Sequence, residues 1–110
     1  MFFLLYRYIV IMHVKISKSK MEGKKMTAIF YDGNRKIIKT IHFGAEGYTD
    51  FTISPHDKEK RKRYINRHRS NENWNDPMTA GTLSRYILWE NPSLSVAINQ
   101  YVKRFNLNRI

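Results

Sequence analysis

Cysteine is absent from this 110-residue sequence, which also contains only three prolines and five glycines. Without thiols the chain has neither disulfide bonds nor thiolate metal ligands, and it suits a reducing compartment. Acidic residues are scarce as well, with 9 Asp and Glu against 20 Lys and Arg, and the net charge is +11. An excess of this sign indicates a negatively charged partner, such as nucleic acid, an anionic membrane or an acidic protein.

No apolar run reaches the length of about 20 residues that crosses a bilayer. The most apolar stretch, residues 1–14, is interrupted by Arg7 and is followed by lysines instead of a small-residue cleavage site, so we do not expect a signal peptide. Three interpretations of this run stay open: part of an extension preceding a later start, a β-strand or docking arm, or an interfacial helix with the following lysines at the lipid headgroups. We therefore predict an apolar and then basic extension over 1–25 and a single domain over 26–110.

A β-hairpin is predicted at the beginning of this domain. Residues 27–31 and 36–43 are rich in β-branched and aromatic residues and flank an Asp32-Gly33 turn, whose residues tolerate positive φ. Residues 48–53 predict a short third strand. Both sides of the second strand are partly apolar, so the pattern leaves open which side is buried.

Three helices are predicted after the strands. The first begins at Ser54-Pro55. The second runs from about Pro77 or Thr79 to Trp89, with Asp76 or Thr79 as its cap, and the third follows the cap residue Ser93. The predicted fold class is α+β, a small antiparallel sheet followed by three helices, of which the last two pack on the sheet. Gly81 costs a helix roughly 1 kcal/mol relative to alanine, so we expect another element packed closely over it.

The first helix is the most basic part of the sequence. Seven Lys and Arg lie within residues 58–69, against the single acid Glu59. Like charges three and four residues apart repel, and an anionic partner would relieve that repulsion. The predicted inward stripe consists of Arg61, Tyr64, Ile65 and His68. The candidate anion- or nucleic-acid-binding residues are Lys58, Lys60, Arg61, Lys62, Arg63, Arg67 and Arg69. Their spread around the helix favours contacts to phosphates or an acidic surface over base reading.

A nuclease site is the alternative that the polar residues suggest. Its candidate residues are His42, Asp50, His56, His68, Asn73, Asn75 and Asp76, with Trp74 among them. No spacing matches a metal motif, paired carboxylates or a phosphate-binding loop. We therefore predict no catalytic residue, no metal site, no cofactor and no enzymatic activity. The simpler interpretation is that Asp76 caps a helix, Trp74 fills the core and His68 lies against the sheet.

Four strings of the sequence carry a resemblance to a known family: TAIFYD at 27–32, IHFGAEGYTDFT at 41–52, RYINRH at 63–68 and NWNDPMTAGTLSRYILW at 73–89. Together they resemble an uncharacterised family of short basic proteins encoded by large DNA viruses, relatives of the phycodnaviruses and mimiviruses. The resemblance runs from about Met26 to Leu107. It implies a viral origin and a role in the virion or the infected cell, and it implies no activity.

We therefore expect a non-enzymatic, virion-associated protein, in the capsid or the core, whose basic surfaces bind acidic proteins or nucleic acid. The alternative is a DNA- or RNA-binding protein that does not read sequence, and a metal-dependent nuclease is the least favoured. The expected partners are other virion proteins or nucleic acid, together with a membrane contact through residues 1–14. The expected location is the virion or the infected host cell. The sequence does not indicate an oligomeric state.

Overall fold

The computed structural model describes residues 12–110. Their elements are β1 (His13–Lys18), β2 (Lys24–Tyr31), β3 (Ile37–Ala45), α1 (Lys58–His68), α2 (Ala80–Leu83), a π-helical turn (Ser84–Leu88), α3 (Leu94–Arg104) and β4 (Asn108–Arg109). The π-helical turn continues α2 without a break, so a sheet is followed by three helical segments. The predicted α+β class is confirmed.

The strands form one mixed sheet in the order β3-β2-β1-β4. The predicted hairpin is the antiparallel pair β2–β3, while β4 runs parallel to β1. The hairpin turn differs from the expected one, because positive φ falls on Arg35 and not on Gly33. Asp32 holds this turn by accepting hydrogen bonds from the backbone N–H groups of Asn34 and Lys36, both at 2.9 Å.

Strand β1 comes from the segment that the sequence suggested as an extension. It lies between β2 and β4, and its side chains Val14 and Ile16 are buried in the core. The strand interpretation applies to the apolar run 1–14 and is confirmed for its last two residues, His13 and Val14, while residues 1–11 lie outside the described residues. The predicted boundary between residues 25 and 26 falls inside β2, so residues 12–25 are continuous with the domain. The predicted membrane contact falls mainly on residues 1–11, outside the described residues. Between residues 12 and 110, no helix has the length and apolar character needed to cross a bilayer.

The core lies on one face of the sheet. Strand register places Ile16 opposite Ala28, and Ala28 opposite Ile41, so apolar side chains from three strands line up on that face. In β3 the buried side is the one carrying Ile41 and Phe43, which settles the question that the sequence left open. The helical residues that cover this face are Leu83, Ile87, Leu88, Ile98 and Tyr101.

The third strand predicted over residues 48–53 is wrong, because this segment forms turns. Asp50 causes the difference. Its side chain is buried, and Oδ1 accepts hydrogen bonds from the N–H groups of Thr52 and Ile53 at 2.8 and 3.2 Å. A short acidic side chain that binds the backbone two and three residues later offers it an alternative to a sheet ladder.

The helices begin at side-chain caps. Helix α1 starts later than predicted, because Asp57 caps it by accepting from the Lys60 N–H at 2.9 Å. Thr79, one of the two candidate caps, caps α2, and Ser93 caps α3 as predicted. The expected close packing at Gly81 is confirmed, since a Cβ there would lie 2.7 Å from the Glu72 side chain.

Candidate functional site: a cationic cleft beside helix α1

Helix α1 carries its exposed cations in two rows. At about 100° per residue, positions 60, 63 and 67 lie on one side of the helix and positions 58, 62 and 69 on the other. We name Lys60, Arg63 and Arg67 the cleft row, and Lys58, Lys62 and Arg69 the outer row. All six are exposed. In the described part of the chain, none of the six has an acidic partner within 4 Å. The helix therefore presents uncompensated positive charge along two sides.

The inward side of α1 follows the predicted stripe. Ile65 is buried, and the Tyr64 ring stacks on Trp89 at 4.4 Å with the two planes 9° apart. His68 lies against Tyr64, with ring centroids 4.2 Å apart. This three-ring stack fixes the rotation of α1 about its axis and so determines which cations face the rest of the domain.

Arg61 does not belong with the exposed cations, and its assignment to the anion-binding set is corrected. Its Nε donates to the Trp89 carbonyl oxygen at 2.7 Å, and its Nη2 lies 3.3 Å from the Glu90 carboxylate. Its guanidinium also lies 5.6 Å from the centre of the Phe51 ring. Arg61 therefore ties α1 to the core, because position 61 lies on the same inward side as Ile65.

The cleft row forms one wall of an open cleft of about 380 Å³. The opposite wall consists of Ala45 at the end of β3 and of Tyr48 and Thr49 in the segment after it, and Leu88 and Trp89 lie between the two walls. Tyr48 is 73% exposed, which is unusual for a large ring. The arrangement brings cations and apolar ring surface together in one concavity.

The charge of the cleft is positive. Lys25, which also lines it, is paired with the buried Asp50 carboxylate at 2.7 Å and donates to the Tyr48 carbonyl oxygen at 2.5 Å. This pair is neutral as a whole, and it holds the backbone of the Tyr48 wall. The cleft row adds three charges that no acidic lining residue offsets.

Tyr64 reaches the cleft from the inward stack. Burial and, second to it, the nearby Glu72 carboxylate together raise the pKa of Tyr64 to about 12. Its hydroxyl is therefore protonated at neutral pH and able to donate a hydrogen bond. Glu72 also accepts from Trp74 Nε1 at 2.7 Å and lies 3.2 Å from His68 Nδ1, so it anchors both rings.

Two of the residues weighed for a nuclease, Asp50 and His68, line the cleft, and the others are not among its lining residues. His42 bonds Thr27 at 2.8 Å on the sheet face opposite the core, and His56 lies exposed before α1. Asp50 is engaged with Lys25. Across residues 12–110, no three His, Asp or Glu side chains are grouped as metal ligands would be.

Two of the simpler assignments need correction. Asp76 caps the turn before α2, through the Met78 N–H at 2.9 Å, whereas Thr79 caps the helix. Trp74 is half-buried beneath the Arg85 guanidinium, 5.3 Å from the ring centre, and does not fill the core. Its polar neighbours in sequence explain this position, because residues 71–76 form turns at the surface.

Sequence reasoning missed the walls of the cleft. The sequence pattern predicts that Leu88 and Trp89 belong to an amphipathic helix and that Tyr48 belongs to a strand. The sequence does not indicate the π-helical turn Ser84–Leu88, which places Ser84 and Leu88 in the cleft. Single π-helical turns within helices are frequent at functional sites.

No curated protein and no solved structure matches this chain. A family model does match residues 14–68, which extend from β1 to the end of α1 and include the whole cleft row. Because the match covers half of the 110 residues, the chain belongs to DUF5754, a family of unknown function.

Proposed function

We propose that this protein binds nucleic acid without reading its base sequence, through the exposed cations of α1. The observation that carries the proposal is the pair of cationic rows on this helix, six exposed side chains in all, which have no acidic partner within 4 Å in residues 12–110. Positive charges suffice to contact phosphates, whereas base reading needs polar groups aimed into a groove from one edge. Two rows of cations on different sides of a helix suit contacts to phosphates and not base reading.

Nucleic acid is favoured over an acidic protein by what lies beside the cleft row. From position 60 to position 67 the helix rises by about 10 Å, equal to roughly three of the ~3.4 Å axial steps between successive phosphates of one strand. The same row borders the rings of Tyr48 and Tyr64. Cations next to aromatic rings are the combination that binds nucleotides, because phosphate and base are engaged together. An acidic protein surface would use only the charges.

The resemblance to short basic proteins of large DNA viruses supports a setting for this activity. We place the protein in the virion as a non-enzymatic minor capsid or core component that contacts the packaged genome or an acidic virion protein. Mass spectrometry of purified particles tests this setting. Absence from the particles, with abundance in infected cells, would contradict it without touching the binding proposal.

The binding proposal is tested with the full chain and three duplexes of unrelated sequence. We expect equal affinity for all three and a steep loss between about 50 and 200 mM salt. Replacing both rows by glutamine should reduce the slope of log affinity against log salt by up to about 5 units, since each lost phosphate contact removes about 0.9.

The matched control removes six exposed cations elsewhere: Lys15, Lys18, Lys20, Arg35, Lys36 and Lys103. It should keep most of the salt dependence, because these residues lie apart on the sheet, the hairpin turn and α3. Circular dichroism confirms that both variants fold. The proposal is wrong if the wild type does not bind, or if the control loses as much affinity as the helix variant.

A further inference from the structure

We infer that the cleft beside α1 takes one unpaired nucleotide, with its base on Tyr48 and its phosphates on the cleft row, so that the protein prefers single strands. This inference rests on the proposed nucleic-acid binding and adds a substrate class to it. It starts from an asymmetry of α1. Both rows carry three cations, but the cleft row lines the concavity of about 380 Å³ formed by the described residues, and the outer row does not.

The concavity has the size and lining that a nucleotide needs. Its volume of about 380 Å³ lies within the roughly 300–1,000 Å³ of pockets that hold small ligands. Leu88 and Trp89 give it an apolar floor, and the 73% exposed Tyr48 gives it a ring with free surface. A planar base would cover that ring, whose exposure has no role in packing the domain.

The wall that carries Tyr48 is fixed in place. The Lys25 ammonium binds the Tyr48 carbonyl oxygen at 2.5 Å and the Asp50 carboxylate at 2.7 Å. Gly44, with φ of 78°, lets the end of β3 approach the π-helical turn, since a Cβ there would lie 2.7 Å from Leu88 Cδ1. A prepared wall lowers the entropic cost of binding.

The chemistry assigns each part of the nucleotide a partner. The base stacks on Tyr48 above the apolar floor, and the phosphates on either side contact Arg63 and Arg67, which lie on the same side of the helix. The protonated Tyr64 hydroxyl supplies a donor within the cleft. In a duplex the bases are paired and stacked, so a duplex offers only its phosphates to the two rows.

The experiment compares a short thymidine oligonucleotide with a duplex of the same length, by fluorescence anisotropy at one salt concentration. The wild type should bind the single strand more tightly. The cleft-row variant, K60Q/R63Q/R67Q, should lose this preference. The outer-row variant, K58Q/K62Q/R69Q, removes the same charge and should weaken both substrates while keeping the preference.

A second pair of variants tests the stacking. Tyr48→Ala should reduce single-strand affinity by roughly fivefold or more and leave duplex affinity unchanged. Ile53→Ala is the control, because Ile53 is 60% exposed near Tyr48 and does not line the cleft. In competition, thymidine monophosphate should displace the oligonucleotide, whereas inorganic phosphate at the same concentration should not.

The outcomes separate the two proposals. Equal affinity for both substrates, or equal effects of the two row variants, would overturn the cleft inference and leave nucleic-acid binding standing. Polyglutamate that competes as well as thymidine monophosphate would also overturn it, by showing that charge alone is bound. If neither substrate binds, both proposals fail.

Discussion

Replacing Asp50 by alanine should lower the free energy of unfolding of the domain. The loss should exceed that caused by removing any other acidic side chain that lies outside the helices. Asp50 is 2% exposed. One carboxylate oxygen accepts three hydrogen bonds, from the N–H and hydroxyl of Thr52 and the N–H of Ile53, and the other pairs with Lys25 at 2.7 Å. The substitution removes the side-chain acceptor of the Thr52 N–H and hydroxyl and leaves the Lys25 ammonium without its counterion, while the Ile53 N–H keeps its bond to the backbone carbonyl of residue 50 at 3.1 Å.

The magnitude follows from the burial of the pair. Removing one partner of a buried ion pair costs about 3–5 kcal/mol, and unpaired buried donors contribute to that figure. A domain of this size has a free energy of unfolding of about 5–15 kcal/mol, so the change is a large part of the total. Urea unfolding followed by tryptophan fluorescence measures it as a shift of the midpoint at constant slope.

Two comparisons make the result decisive. Asp57→Ala is the matched control, since Asp57 is an exposed helix cap whose loss costs about 0.5–2 kcal/mol. The double variant with Lys25→Met should be less destabilised than the sum of the single changes, with a coupling of about 0.5–3 kcal/mol. A cost for Asp50→Ala below about 1 kcal/mol, or equal to that of Asp57→Ala, would refute the role that the structure gives to this carboxylate.

Three further predictions concern the elements around the cleft. Gly44→Ala should lower the free energy of unfolding by about 1–3 kcal/mol, because the new Cβ would lie 2.7 Å from Leu88 Cδ1 and the residue has a positive φ. Thermal unfolding measures this change, and an unchanged midpoint would contradict it. Thr79→Ala should cost about 1 kcal/mol through the lost cap of the Thr82 N–H, with Thr79→Ser as the control that retains it. Stability should fall as pH rises from about 10 to about 12, since burial raises the pKa of both Tyr64 and Tyr101 and the unfolded chain releases these protons first. Tyr64→Phe should remove part of that fall in urea midpoints, and an identical pH profile in both proteins would contradict the assignment.

Much of the fold was predictable because it depends on local pattern. The hairpin follows from apolar strands around Asp32-Gly33, and the caps Thr79 and Ser93 follow from residues that bind free backbone N–H groups. The close packing at Gly81 was predictable too. Glycine destabilises a helix, and a neighbouring element packed against the helix explains why a side chain is absent there. The strand predicted over residues 48–53 is wrong for a local reason, the buried Asp50, and the residue pattern does not show that this side chain is buried.

The candidate site was predictable only in its charge. Composition determined that α1 is cationic and that its partner is expected to be negative, because charge is a property of the sequence itself. Tertiary structure decided which of these cations are exposed. Arg61 binds the Trp89 carbonyl oxygen and Glu90, whereas the cleft row lies across the cleft from Tyr48. The Lys25–Asp50 pair joins residues distant in sequence, and the cleft joins the π-helical turn to α1 and to the end of β3, so both arise only when the chain is folded.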